Sequence, residues 1–227
     1  MAWKPLTYYS DLKYGNIDRD SLNYLSVDNE FTRLKHNYVN NPYPTFNISQ
    51  KEIAALMEIQ SAAISNPSWE RYKKFVENCD EDIGMVLKQE CKRLNINYPE
   101  DYLFSVQEKL AALIMQLKKY YNRPRPYQVA YYTNQIEFHS FPTLTGNSPA
   151  YPSGHSCQSW FVCLLLSYQN PGKAAEIMEL GKRIANTREI MGVHYPSDTL
   201  FGRAIAQNLS EQPEIKKQYF NTDNRNL

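Results

Sequence analysis

The 227-residue sequence predicts an all-α, single-domain helical bundle preceded by an irregular N-terminal arm. Three observations carry this. Apolar residues recur at helical spacing through several long windows, alternating strand patterns are few, and no internal repeat or Gly/Ser-rich linker divides the chain. A chain of this length can bury most of its apolar surface in one core. The expected boundaries are an arm over residues 1–47, the helical domain over 48–212 and a peripheral C-terminal tail over 213–227.

Residues 1–46 are rich in Tyr and Asn without sustained periodicity, and Pro42 and Pro44 oppose a helix there. Ser49-Gln50-Lys51-Glu52 reads as a capping box, after which Ile53, Leu56, Met57, Gln60 and Ile64 follow helical spacing. Asn66-Pro67 restarts a second helix, with Trp69, Tyr72, Val76, Cys79, Ile83, Val86, Leu87 and Leu94 on or near one stripe. Ser105 and Glu108 form another capping box, opening a helix that must stop before Arg123-Pro124-Arg125-Pro126. A loop region dense in aromatics is expected from Tyr127 to Tyr151. Ser153 can N-cap the next helix, which Asn170-Pro171-Gly172 ends. Ala174, Ile177, Gly181 and Ile184 mark a further helix that breaks near Gly192, and a last one runs from about Ser197 through Ala206. After Gln212, mixed charge and few apolar residues read as a tail.

Composition narrows the function. Lys and Arg number 25 against 24 Asp and Glu, a net charge of +1, so no field of one sign is available to hold a nucleic-acid backbone or an anionic membrane surface. The longest apolar run, Trp160 to Leu166, is far short of the ~20 residues a membrane span needs. The start has no apolar leader, which places the chain in the cytoplasm, or in the periplasm if the sequence is a trimmed mature form. Cys79, Cys91, Cys157 and Cys163 have no C-x-x-C spacing and read as reduced, buried thiols. Helix faces wider than one core needs would make a homodimer.

Three segments place polar residues at helix ends instead of along solvent faces. Lys118 lies four residues after Ile114, so its stem leaves an apolar face, and Pro124 and Pro126 stiffen the turn that aims Arg125. Taken alone, such cations usually just complement a helix C-terminus. Pro152-Ser153-Gly154-His155 opens a helix whose first free N–H groups favour an oxyanion, with His155 placed to give it a proton; a plain cap is the bland alternative. In the third segment Gly192 lets the chain leave its helix, which puts His194 on a loop. Asp198, in the first turn of the next helix, can accept an imidazole N–H and leave the other ring nitrogen free as a nucleophile. The competing reading there is a buried His satisfied by a capping Asp.

Taken in order, Lys-x6-Arg-Pro, Pro-Ser-Gly-His and Arg-x5-His-x3-Asp resemble the signature of the type 2 phosphatidic acid phosphatase (PAP2) and vanadium haloperoxidase superfamily. The small soluble class A non-specific acid phosphatases are the most similar branch. The matched region, Lys118 to Asp198, covers about a third of the chain. Thr187 stands where the family usually has Ser, and it keeps the hydroxyl. The resemblance implies an acid phosphatase that needs no metal and no cofactor and acts on a small phosphorylated substrate. Lys118, Arg125, Ser153, Gly154 and Arg188 would hold the phosphoryl group. His194 would attack phosphorus and form phosphohistidine, Asp198 would orient it, and His155 would serve as general acid and base. The alternative within the superfamily is a vanadate-dependent haloperoxidase using the same pocket. A metal hydrolase built on His139, His155, His194 and Asp198 has no supporting ligand spacing, and nearby cations would repel the ion. The aromatics Tyr127, Tyr131, Tyr132, Phe138, Phe141 and Tyr151 are candidates either to stack on a leaving group or to pack the loop.

Overall fold

The computed structural model describes residues 12–19, 21–135 and 137–221, and among these there are helices and turns but no strand. The arm makes two 3-10 turns, Ser21–Ser26 and Thr32–Asn37. Nine α-helices follow among the described residues: α1 Phe46–Ile64, α2 Trp69–Glu81, α3 Ile83–Leu94, α4 Glu100–Tyr121, α5 Pro126–Tyr132, α6 Gly154–Gln169, α7 Ala174–Ile190, α8 Pro196–Glu211 and α9 Pro213–Tyr219.

The central helix is α6, which packs against α4, α7 and α8. Its sequence dictates that place, because Cys157, Phe161, Val162, Cys163, Leu165 and Leu166 spread apolar surface around most of its circumference. All four cysteines are buried and free, as their apolar settings predict. No helix is long and apolar enough to cross a membrane among the described residues.

Several boundaries differ from the sequence reading. Helix α1 starts at Phe46 after Thr45, so Ser49 and Glu52 lie inside it. They do not cap it; both side chains accept from Arg123. Helix α4 starts at Glu100, where Glu100 and Asp101 complement the N-terminal end of the dipole, and Ser105 falls in its second turn. The single stripe from Trp69 to Leu94 is two helices. Asp82 is extended (φ −156°, ψ 101°) and accepts from the Met85 N–H at 3.0 Å, capping α3. Helix α5 occupies the start of the expected loop, with Pro126 at its first position and the Gln128 side chain accepting from the Arg125 N–H at 2.8 Å.

The expected peripheral tail is corrected as well. Residues 213–219 form α9, whose Ile215 and Tyr219 are buried in the main core. Tyr219 stacks on Phe31 of the arm at 5.4 Å and donates to Glu30. Phe31 in turn meets Phe161 of α6 edge-on at 5.4 Å, so arm and C-terminal helix close over the same end of the bundle. Residues 1–11 and 222–227 of the expected arm and tail lie outside the described residues.

Candidate active site

Three helix ends meet at one place. The end of α4 and the turn into α5 supply Lys118, Arg123 and Arg125. The start of α6 supplies Ser153, Gly154 and His155, and the α7–α8 connection supplies Arg188, His194 and Asp198. Two glycines permit the meeting. Gly192 has φ +67°, and a Cβ there would stand 2.8 Å from Gln60 Nε2 and 2.9 Å from Phe138 Cζ. At Gly202 in α8 a Cβ would stand 2.5 Å from the Ser153 carbonyl oxygen, so only glycine lets α8 approach the start of α6 this closely. The Ser153 N–H accordingly donates to the Asp198 carbonyl at 3.1 Å.

His194 is 2% exposed and held at both ring nitrogens. Nδ1 is 3.1 Å from Asp198 Oδ2, and Nε2 is 3.0 Å from Arg125 Nη1. A guanidinium only donates, so Nε2 must present its lone pair and Nδ1 its proton. Burial, followed by the charges of Arg125, Lys118 and Arg188, pushes the imidazole well below its ordinary pKa. The ring is therefore neutral and in one tautomer. The bland reading, a capping Asp satisfying a buried His, accounts for the Nδ1 contact but not for a guanidinium seated on Nε2.

Three cations surround this ring. Arg125 donates to the carbonyls of Ser148 (2.7 Å) and Val193 (2.6 Å). Lys118 donates to the Pro149 carbonyl, and Arg188 to Asp80 Oδ1 (2.7 Å) and Thr145 Oγ1 (3.0 Å). All three are buried. Burial and mutual repulsion lower Arg125 to about 10 and push Lys118 well down. Such a cluster is short of negative charge, and a bound oxyanion would supply it. Ser153 caps α6, accepting from Ser156 N at 3.4 Å and from Ser156 Oγ at 2.9 Å. A Cβ on Gly154 would meet nothing closer than Ile114 Cγ2 at 3.5 Å, so packing does not require glycine there. Its bare backbone leaves the first N–H groups of α6 open to a ligand. His155, half-buried, is pushed well below its usual pKa by burial first and then by Arg188, Lys118 and Arg125. Thr187 donates its hydroxyl to the Ile184 carbonyl at 2.7 Å.

Every sequence-predicted site residue thus reaches this cluster. Reasoning from the sequence missed three more. Arg123 is fully buried and donates to Asp198 Oδ1 (2.5 Å), Ser197 Oγ (2.7 Å), Ser49 Oγ (2.9 Å) and Glu52 Oε2 (2.8 Å), with its guanidinium 3.8 Å from the Tyr195 ring centroid. Glu52 also accepts from the Ser197 N–H at 2.8 Å. Burial raises the Asp198 carboxyl while Arg123 opposes that rise. Asp80, the third, accepts from Arg188, the Thr143 and Thr145 hydroxyls and the Leu144 N–H. Burial would raise its carboxyl, yet Arg188 and these donors hold it at about 2. The available signal was a charge inside an apolar stripe (Asp80 beside Cys79) and a second Arg, Arg123, just before Pro124.

Other candidates fall elsewhere. His139 is exposed and contributes only its carbonyl, to Gln60. Phe138 and Tyr151 are core residues, whereas Tyr127, Tyr131 and Tyr132 are exposed. Among the described residues no three His, Cys, Asp or Glu side chains gather to hold a metal ion.

Fold and site together define a helical domain that gathers three buried cations beside a neutral, oriented imidazole. Residues 102–208, a little under half of the chain, match the family model described as the PAP2 superfamily. The chain is 36% identical over 73 residues to a non-specific acid phosphatase of Providencia stuartii, covering 30% of this chain and 29% of that protein. It is 35% identical over 88 residues to a non-specific acid phosphatase of Salmonella typhimurium, covering 39% and 34%. An acid phosphatase of Zymomonas mobilis is 36% identical over 61 residues, covering 27% and 23%. The aligned part of the chain spans about a third or less of the length of these curated relatives.

Proposed function

We propose that this protein is an acid phosphatase that hydrolyses phosphomonoesters without a metal, through a phosphohistidine on His194. The observation that carries the reading is the His194 ring, neutral, with its Nδ1 proton on Asp198 and its Nε2 lone pair facing the cation cluster. Arg125, Lys118 and Arg188 take the phosphoryl oxygens, joined by Ser153 and the Gly154 N–H. When Arg125 exchanges its contact with His194 for a phosphoryl oxygen, Nε2 is freed to attack. The P–O ester bond then breaks as the N–P bond forms, and His155 gives its proton to the departing alkoxide. Water next attacks phosphorus while His155 takes a proton from it, releasing phosphate and restoring the neutral His194.

Proton supply follows from the same electrostatics. Burial, and after it the three cations, push His155 below its usual pKa, so the substrate's negative charge must restore its basicity and let it carry the proton. Turnover therefore belongs on the acidic side of neutral, with two apparent pKa values that report the coupled site. Similarity to proteins named acid phosphatases supports phosphoryl transfer over halide oxidation. The free, buried thiols fit a reducing compartment, and a homodimer is part of the same proposal, one that light scattering at the mass of a single chain would reject.

The test is hydrolysis of p-nitrophenyl phosphate from pH 4 to 8 with chelator present. Turnover that survives chelation, is blocked by vanadate and disappears in His194→Ala is the expected result. Loss of turnover on chelation would sink the metal-free reading, and unchanged turnover in His194→Ala would remove the nucleophile.

A further inference from the structure

A cleft of about 620 Å³ opens between α1, α2 and the segment 141–144, and its walls include Trp69, Val76, Phe141, Leu144 and Met191. The Trp69 and Phe141 rings face each other with centroids 6.0 Å apart and planes at 57°. The cleft meets the cation cluster at two residues. Asp80 lines it and binds Arg188 at 2.7 Å; Met191 lines it and places its sulfur 3.3 Å from the same Arg188 nitrogen. Asp80 also pins the cleft's outer wall through the Thr143 hydroxyl and the Leu144 N–H, both at 2.7 Å.

The direction of the proposed reaction points toward this side. An attack in line with the breaking bond puts the leaving group opposite the nucleophile. His194 stands at the Arg125 end of the cradle, bonded to that residue, and Arg125 is the charge that acts on it most strongly. His155 stands in the first turn of α6, which packs along α7. The short connection between the two helices brings that turn beside the last turn of α7 with Arg188, the charge that acts on His155 most strongly. The acid that must protonate the leaving oxygen therefore sits toward the Arg188–Asp80 end, where the aromatic cleft begins.

We infer that this cleft receives the leaving group of the substrate and selects an uncharged group that carries an aromatic ring. The inference rests on the phosphatase reading. Its walls offer ring faces and aliphatic side chains, which suit a planar apolar group. Asp80 is paired with Arg188 and Glu77 with Lys73 at 3.9 Å, which leaves the carboxylate of Glu81 as the net charge of the lining, so a leaving group bearing a second phosphate or a carboxylate is disfavoured.

The experiment compares kcat/KM for 2-phenylethyl phosphate and ethyl phosphate, whose alcohols are of similar acidity and differ by the ring. The wild type should favour the phenylethyl ester by about tenfold or more, and Trp69→Ala should bring the ratio close to one. Leu144→Ser, at a side chain 73% exposed where folding is not at stake, should lower the ratio in the same direction by a smaller factor. A wild-type ratio near one, or a ratio that neither variant moves, overturns the inference while leaving the phosphatase reading intact. Failure to hydrolyse either ester overturns both.

Discussion

Arg123 joins two elements through one side chain: it bonds Glu52 in α1 and Asp198 in α8 from a position with no solvent exposure. Removing it leaves two carboxylates without their cation, one of them fully buried. Arg123→Ala should therefore lose about 3–5 kcal/mol of stability, read by urea denaturation, since breaking a buried pair strands its partner. Arg123→Lys should recover only part, because an ammonium cannot reach both carboxylates with parallel donors. A loss below 1 kcal/mol in the Ala variant would mean that Asp198 is carried by the Tyr195 N–H and His194 alone.

Helix α8 can carry Asp198 to the start of α6 only because position 202 lacks a side chain. Gly202→Ala puts a Cβ against a backbone carbonyl, which cannot rotate away, and the helices must separate. The expected cost is about 1–3 kcal/mol, with a fall in kcat from displacing His194 and Asp198 relative to Ser153. A thermal melt and single-substrate kinetics on the same variant check both. Helix α9 gives a second expectation. Ile215 is fully buried, so Ile215→Ala should cost about 2–5 kcal/mol; a dispensable tail would lose nothing measurable.

Across the whole molecule, the buried cluster of cations and histidines works against stability. His155 and His194 have folded pKa values below the ordinary 6.5, so below about that pH the unfolded chain binds protons that the native one does not. Stability should fall as pH drops through this window. Asp80, lowered from 3.8 to about 2, contributes stability that is present above 3.8 and is lost as pH falls toward 2, adding to the same trend. An anion in the cradle relieves the repulsion among Lys118, Arg125 and Arg188. Inorganic phosphate at a hundred times its Kd should stabilise the fold by about 2.7 kcal/mol, seen as a rise in Tm. A Tm unmoved by phosphate, or unaltered between pH 7 and 5, would contradict this account.

Much of this was legible from spacing alone. Helical periodicity is a property of neighbouring residues, so the sequence determined an all-α chain, the ends of α6 and α7, and the ten positions from Lys118 to Asp198 that make up the three motifs. Chain order also sufficed to pair His194 with Asp198, because the four-residue step from a loop into a helix fixes which groups meet. The helix starts at Ser49 and Ser105 were misread because a capping box is only a local preference, and Ser49 and Glu52 serve a guanidinium more than seventy positions away. The tertiary structure alone decided that Arg123 and Asp80 belong to the site, that α9 closes the core, and that an aromatic cleft lies beside Arg188. Each depends on contacts between residues far apart in sequence, and periodicity carries no information about which distant face a helix will meet.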